Sequence, residues 1–178
     1  MKRLLFCTAL LALVGAPNLT AQDGGHAQTR DGFWFNAGIG VGSLGCDDCD
    51  RESGFSGQLA LGGTVSDRVI LGASANFWTK EESGVTLNVG VLAAMIRFYT
   101  SQTGGFFLTG GLGIGSVDVE VSGFGDGSEQ GFGSLLGAGY DFRVGENVSI
   151  TPFFNGYGVN SDLINVNVAQ VGVGVTVH

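Results

Sequence analysis

The feature that most constrains this chain is apolar character without apolar runs. Mean hydropathy is +0.30 and only 13% of residues are charged. Yet beyond residue 21 no apolar stretch approaches the roughly 20 residues that a membrane helix needs. The hydrophobicity must therefore lie in alternation. From Gly32 onward the chain breaks into about eight segments of period-two character, separated by clusters of Gly, Ser, Asp and Asn.

The first segment, Gly32 to Gly42, sets Phe33, Phe35, Ala37, Ile39 and Val41 against Trp34, Asn36 and glycines. The second, Phe55 to Val65, sets Phe55, Leu59, Leu61 and Val65 against Ser56, Gln58, Ala60 and Thr64. The third, Val69 to Thr79, places Val69, Leu71, Ala73, Ala75 and Phe77 opposite Ser74 and Asn76. The fourth, Val85 to Tyr99, opens with Val85, Leu87, Val89 and Val91 on the apolar face opposite Thr86 and Asn88; its second half, "LAAMIRF", is apolar on both faces and leaves the register open.

The fifth, Phe106 to Val121, sets Leu108, Leu112 and Ile114 against Thr109 and glycines. The sixth, Gly131 to Arg143, sets Phe132, Leu136, Ala138, Tyr140 and Phe142 against glycines, Leu135 and Asp141. The seventh, Asn147 to Gly158, sets Val148, Ile150, Pro152 and Phe154 against Ser149, Thr151 and Asn155. The eighth ends with Val171, Val173, Val175 and Val177 in one phase, while Ile164, Val166 and Val168 before them have the other. That break implies a bulge near Ala169 or a stretch projecting beyond a membrane.

Three features favour a membrane barrel over a soluble antiparallel sheet. The fourth and fifth segments exceed the 9–11 residues of a tilted membrane strand. Connectors alternate in kind: "SDR", "SQTG" and "GE" are short, whereas "SLGCDDCDRESG" and "SGFGDGSEQ" are long and acidic. Aromatics gather at segment ends, with Phe33, Tyr99, Phe106 and Phe142 at one edge and Phe55, Phe77 and Trp78 at the other, as the headgroup level favours. The polar face is small and neutral, a poor surface for a soluble barrel. The expectation is an all-β, eight-stranded, antiparallel up-and-down transmembrane β-barrel, apolar outside and filled by Asn, Gln, Ser, Thr and Gly, with every backbone hydrogen bond made between strands.

The N-terminus reads as an export signal. Lys2 and Arg3 precede an apolar run from Leu4 to Ala16, and a small residue, Ala21, offers a cleavage point. The expected organisation is a cleaved signal over 1–21, a flexible tail over 22–31 and a barrel domain over 32–178. Without Lys2 and Arg3 the formal charge of −8 becomes −10, which excludes a phosphate-reading nucleic-acid binder.

The stretch "AGYDFRVGENVSITPFFNGYG" from Ala138, with "RFYTSQTGGFFLTGGLGIG" before it, resembles the strand–turn–strand unit of small outer-membrane β-barrel proteins. The resemblance covers about Gly32 to His178 and points to the OmpA-type transmembrane domain, or outer membrane protein beta-barrel domain, family. It implies an integral protein of a Gram-negative type outer membrane with extracellular loops, a monomer in contact with outer-membrane lipid and lipopolysaccharide, and inserted by the barrel-assembly machinery. The chain ends at the eighth segment, where OmpA-type proteins continue into a peptidoglycan-binding domain. Its last residues are Val177 and His178, where the family's assembly signal ends in an aromatic residue.

Catalysis finds little to use. Lipid A deacylases and acyltransferases are the enzymatic members that the resemblance brings in, but a nucleophile needs its base. The histidines of the mature chain are His26 in the tail and His178 at the end, and the deacylases' His-x-Ser pattern is missing. Asp118 and Glu120 are the candidates for carboxylates at the mouth. No cofactor is expected. A wide pore is disfavoured, because eight strands enclose only enough space for side chains, here Trp34, Trp78, Phe153 and Tyr157. A narrow path for small apolar molecules lined by Val117, Val119 and Val121 is the alternative function to a structural or surface-interaction role.

The acids Asp47, Asp48, Asp50, Glu52, Glu81, Glu82, Asp118, Glu120, Asp126, Glu129 and Asp162 fall on the predicted external side, opposed by Arg51 and Lys80. Their plainest role is loop solubility. A sharper one is weak divalent-cation or lipopolysaccharide contact at Asp47, Asp48, Asp50 and Glu52, since hard cations take carboxylate oxygens. Among these acids Cys46 and Cys49 form a Cys-x-x-Cys pair. Redox catalysis wants the first thiol at a helix N-terminus, and zinc wants about four ligands. In an exported loop the expectation is a Cys46–Cys49 disulfide that shapes the loop tip.

Overall fold

A computed structural model describes residues 30–46, 49–121 and 125–178. Within them the strands are β1 (Phe33–Cys46), β2 (Glu52–Ser66), β3 (Val69–Glu82), β4 (Val85–Tyr99), β5 (Phe106–Val121), β6 (Gly125–Tyr140), β7 (Phe142–Arg143), β8 (Val148–Asn160) and β9 (Asn165–Val177). The two-residue β7 continues β6 past Asp141 and pairs with β8, so the wall has eight staves. Each stave is antiparallel to the next, and β1 pairs with both β2 and β9. The sheet thus closes on itself and leaves no long edge in hydrocarbon.

The expected alternation holds on the outside. Phe33, Ile39 and Val41 of β1, Leu59 and Leu61 of β2, Leu112 and Ile114 of β5, and Val171 and Val173 of β9 are all exposed. On β1 this apolar face runs from Phe33 to Val41, the length of a tilted membrane strand. Inside, Trp34, Asn36, Trp78, Thr151 and Gln170 are at or near zero exposure.

Glycines facing inward are what admit the large plugs. A Cβ on Gly38 would lie 2.5 Å from the Phe153 ring, and one on Gly172 2.6 Å from it. Trp78 occupies the space beside Gly42 and Gly54 in the same way, and its Nε1 donates to the Gly42 carbonyl at 3.0 Å. The lumen is filled by aromatics seated on glycine floors.

Four expectations are corrected. The apolar face assigned to the start of the fourth segment points inward: Val89 and Val91 are buried and Leu87 packs on the interior cluster. Arg97 explains the phase. A guanidinium in this belt must face the lumen, and Met95, Ala93, Val91 and Val89 share its parity, leaving Leu92, Ile96 and Phe98 to meet lipid. Of the two readings of the break near Ala169, the bulge falls and the projecting stretch stands. The β9 register against β1 and β8 is continuous, and Val166 and Val168 face an apolar lumen.

Tyr99 and Trp78 leave the aromatic girdles and are buried inside. The outward rings are Phe33, Phe98, Phe106 and Phe142 at one edge, and Phe55, Phe77 and Phe132 at the other. Finally, most of the two long acidic connectors is strand. β1 continues to Cys46, β2 starts at Glu52, and β5 with β6 pairs out to Val121 opposite Gly125. β3 and β4 meet in a tight turn at Ser83 and Gly84, with φ of 54° and 79°, the left-handed pair that a type I′ hairpin needs. The barrel therefore has a terminal end, near residues 30 and 178, and a projecting end where hairpins outrun the apolar belt.

Candidate functional site

The buried polar and charged side chains among the described residues converge in the lumen, and it is layered. At the terminal end the buried Asp141 accepts from Tyr99 Oη at 2.7 Å and Thr151 Oγ1 at 2.6 Å, and its Oδ2 lies 3.4 Å from His178 Nε2. Arg97 lies between two rings, 4.2 Å from the centroid of Trp34 and 3.8 Å from that of Phe107, with Nε donating to Thr109 Oγ1. Arg30, read from sequence as tail, is buried. Its guanidinium sits 3.5 Å over the Tyr99 ring and donates to the carbonyls of Gln102 at 3.1 Å and of Gly104. A cation reaching turn carbonyls beneath the barrel closes this mouth.

The middle layer is a chain of neutral polar groups. Thr151 and Thr176 share a hydrogen bond of 2.7 Å, and Asn36 Nδ2 donates to Thr176 Oγ1 at 2.8 Å. Gln58 donates to Asn36 Oδ1 at 2.7 Å, and Asn155 Nδ2 donates to Gln58 Oε1 at 2.6 Å. Buried amides left unpaired are costly, and this chain of bonds links Asn36, Gln58 and Asn155 in sequence.

Above it the interior becomes apolar. Leu44, Trp78, Val89, Val91, Val117 and Leu135 pack with Tyr157, Val159, Val166 and Val168. Besides the Trp78 Nε1 bonded to Gly42, Tyr157 brings a polar tip, its hydroxyl 3.1 Å from Ser56 Oγ. Thus Val117 of the expected apolar path is part of a packed plug, and Val119 and Val121 continue its inward face toward the projecting rim.

The rim acids are dispersed. Asp118 and Glu120 alternate with those valines and so stand on the outside of β5, where Asp118 accepts from Ser128 Oγ. They do not line the mouth. Glu52 and Glu82 flank Lys80 at 2.5 Å each. These bonds raise Lys80 above its ordinary value, and Lys80 lowers Glu82. Arg51 does not oppose the acids but lies along the wall, donating to Ser43 Oγ, the Ser43 carbonyl and Asn167 Oδ1.

Asp50 is exposed, and Asp47 and Asp48 lie outside the described residues. Among the described residues no three His, Cys, Asp or Glu side chains gather as a metal-ligand set. Cys46 and Cys49 are joined as a disulfide, and the Cys46 amide donates to Cys49 Sγ. His178 sits at the terminal end against Asp141, and His26 lies outside the described residues.

A closed barrel with a lipid-compatible belt and a plugged lumen is the architecture the sequence resemblance implies, and the family model for the outer membrane protein beta-barrel domain matches residues 6–176. The chain belongs to that family. It is an integral outer-membrane protein. Among solved structures, Neisserial surface protein A is 18% identical, with a TM-score of 0.66 over 84% of this chain and 99% of that one. Ail, the attachment invasion locus protein of Yersinia pestis, is also 18% identical, with a TM-score of 0.57 over 82% and 99% of the two chains. A second Ail structure holds the heparin analogue sucrose octasulfate. No curated protein sequence gave a significant match.

The terminal cluster was the part of this family member that sequence reading missed. Its signal was present: Arg97 is the one charge of β4, and Asp141 stands on the inward parity of its segment beside apolar Tyr140 and Phe142. Charges so placed must face the lumen and one another.

Proposed function

We propose that this protein is a non-catalytic barrel with a structural or surface-interaction role, its projecting hairpins extracellular and the barrel a monomer. The observation that carries this reading is the doubly closed lumen, with the Arg30 and Asp141 layer at one end and the apolar cluster around Trp78 at the other. Nothing in such an interior moves ions, and the His–Asp contact lies away from the rim that lipid substrates of the outer leaflet would reach. The acidic projecting end favours cationic partners, or divalent ions bridging lipopolysaccharide phosphates to Asp47, Asp48, Asp50 and Glu52, over a polysulfated ligand of the kind seen with Ail. The barrel-insertion machinery is its partner during assembly.

Planar-bilayer recording of the folded protein tests the reading: the expected trace is flat, and a steady ohmic conductance overturns it. Boiled and unboiled samples should migrate differently on a gel. Loss of acyl chains from lipid A on incubation would establish an enzyme instead.

A second reading has its own observation. Leu87, Val119, Val121 and Ile164 line the projecting mouth above the packed cluster and are only partly buried. They form a shallow apolar cup, which supports binding of small apolar molecules there. Quenching of tryptophan fluorescence by an added alkane-chain probe, absent in Val119→Asp, would favour this reading.

A further inference from the structure

The outer wall carries several grooves, among them one beside Gly90 of β4 and one over Ala37 of β1, and a further one on β8 and β9 joins an apolar floor to a cationic end. Around most of the belt the last outward residues below the projecting end are large: Val41, Phe55, Phe77, Ile114 and Phe132. On β8 and β9 they are Gly156, Gly158 and Ala169. Register sets Gly156 between Leu136 and Ala169, and Gly158 between Ser134 and Asn167. The result is a groove of about 780 Å³, walled by Leu112 and Leu136, within the size range of small-molecule sites. Leu136 is 73% exposed because its cross-strand neighbours are so small.

The upper end of the groove is polar and cationic. Asn160, Asn165 and Asn167 line it, together with Arg51. Arg51 reaches there by lying flat across Gly45, where a Cβ would come within 2.7 Å of its Nη1. Its hydrogen bonds to Ser43 and Asn167, three in all, end on uncharged oxygens. A guanidinium has five N–H donors, so charge and donors remain for an anion. The site is thus apolar below, carboxamide-lined above and positively charged at its rim.

We propose that this groove binds a phosphorylated glycolipid of the surrounding leaflet, with an acyl chain over Gly156 and Ala169, a phosphate on Arg51 and sugar hydroxyls on the asparagines. The three carboxamides select a sugar headgroup over a glycerol one. Arg51 selects phosphate through charge-assisted hydrogen bonds. The site rests on the outer-membrane reading with projecting hairpins outward, which puts the groove in the glycolipid leaflet.

The test uses the full chain folded in detergent micelles, with retained lipid measured by native mass spectrometry. Lipid A, dephosphorylated lipid A and phosphatidylglycerol are the probes. Wild type should retain lipid A about tenfold better than either of the others, and Arg51→Gln should abolish the preference over dephosphorylated lipid A while leaving that over phosphatidylglycerol. Gly156→Leu, where a Cβ has its nearest neighbour 3.9 Å away, should fill the groove without strain and lower retention of every lipid. Equal retention of phosphatidylglycerol by wild type, or an undiminished preference over dephosphorylated lipid A in Arg51→Gln, overturns the proposal. Heat-shifted migration and vesicle insertion of each variant separate the two failures. A barrel that inserts without lipid A preference rejects the groove alone, whereas one that does not insert rejects the membrane reading beneath it.

Discussion

The two halves of this lumen obey opposite rules. The terminal half is polar and charged inside, with Arg97, Asp141 and the Asn36–Gln58–Asn155 chain, while Phe33, Leu71 and Val175 face out. In the projecting half Val89, Val117 and Val168 face in, and Asp118, Glu120 and Asn167 face out. The difference teaches where the hydrocarbon ends. In lipid the outside must be apolar, and the inside holds polar groups by bonding them to each other. Beyond the lipid the outside meets water, and the inside coheres by ordinary hydrophobic burial. One continuous sheet crosses that boundary without changing register. Only the chemistry of alternate positions changes.

Substitutions break this contrast unequally. In the apolar half, Trp78→Ala removes the largest plug and its bond to Gly42. Urea unfolding in lipid vesicles should show a loss of about 4 kcal/mol. In the charged layer, Asp141→Ala strands the Tyr99 and Thr151 hydroxyls and the His178 ring, and the same measurement should fall by about 3 kcal/mol. In the neutral layer, Asn155→Leu leaves the Gln58 oxygen without its donor, at about 2 kcal/mol. A wild-type-like midpoint for Asn155→Leu would show that the polar chain is passive filling.

The smallest effect lies on the rim. Lys80 holds Glu82 below its ordinary carboxylate value, so the pair's contribution is present above the unfolded carboxyl value and fades as pH falls through the lowered folded one. Because Lys80 is itself raised, that contribution persists until pH climbs through its folded value. In Lys80→Met the Glu82 midpoint, followed by NMR, should move up, with global stability nearly unchanged.

Much of the barrel was legible in the chain. The outward faces at Phe33–Val41, Phe55–Leu61 and Val171–Val177 follow from parity alone, and β4 and β5 have the bounds their patterns suggest. The start of β4 was misread because valines were assigned to lipid wherever they alternate. A Val facing a packed lumen and a Val facing an acyl chain are the same residue in sequence. The aromatic rims suffered likewise, since Tyr99 and Trp78 sit at strand ends but on inward parity. Arg51 looked like a counter-ion to neighbouring acids, and only the approach of β9 brought Asn167 within its reach.

Sequence by itself determined the period, the approximate number of staves, the closure they require and the proximity of Cys46 to Cys49, because these depend on local spacing and on the solvent that each face must satisfy. Tertiary structure alone decided which charges meet, where the lumen turns from polar to apolar, and that Gly156, Gly158 and Ala169 adjoin Arg51. Those relations join staves far apart in the chain, and strand register, which no single strand encodes, is what aligns them.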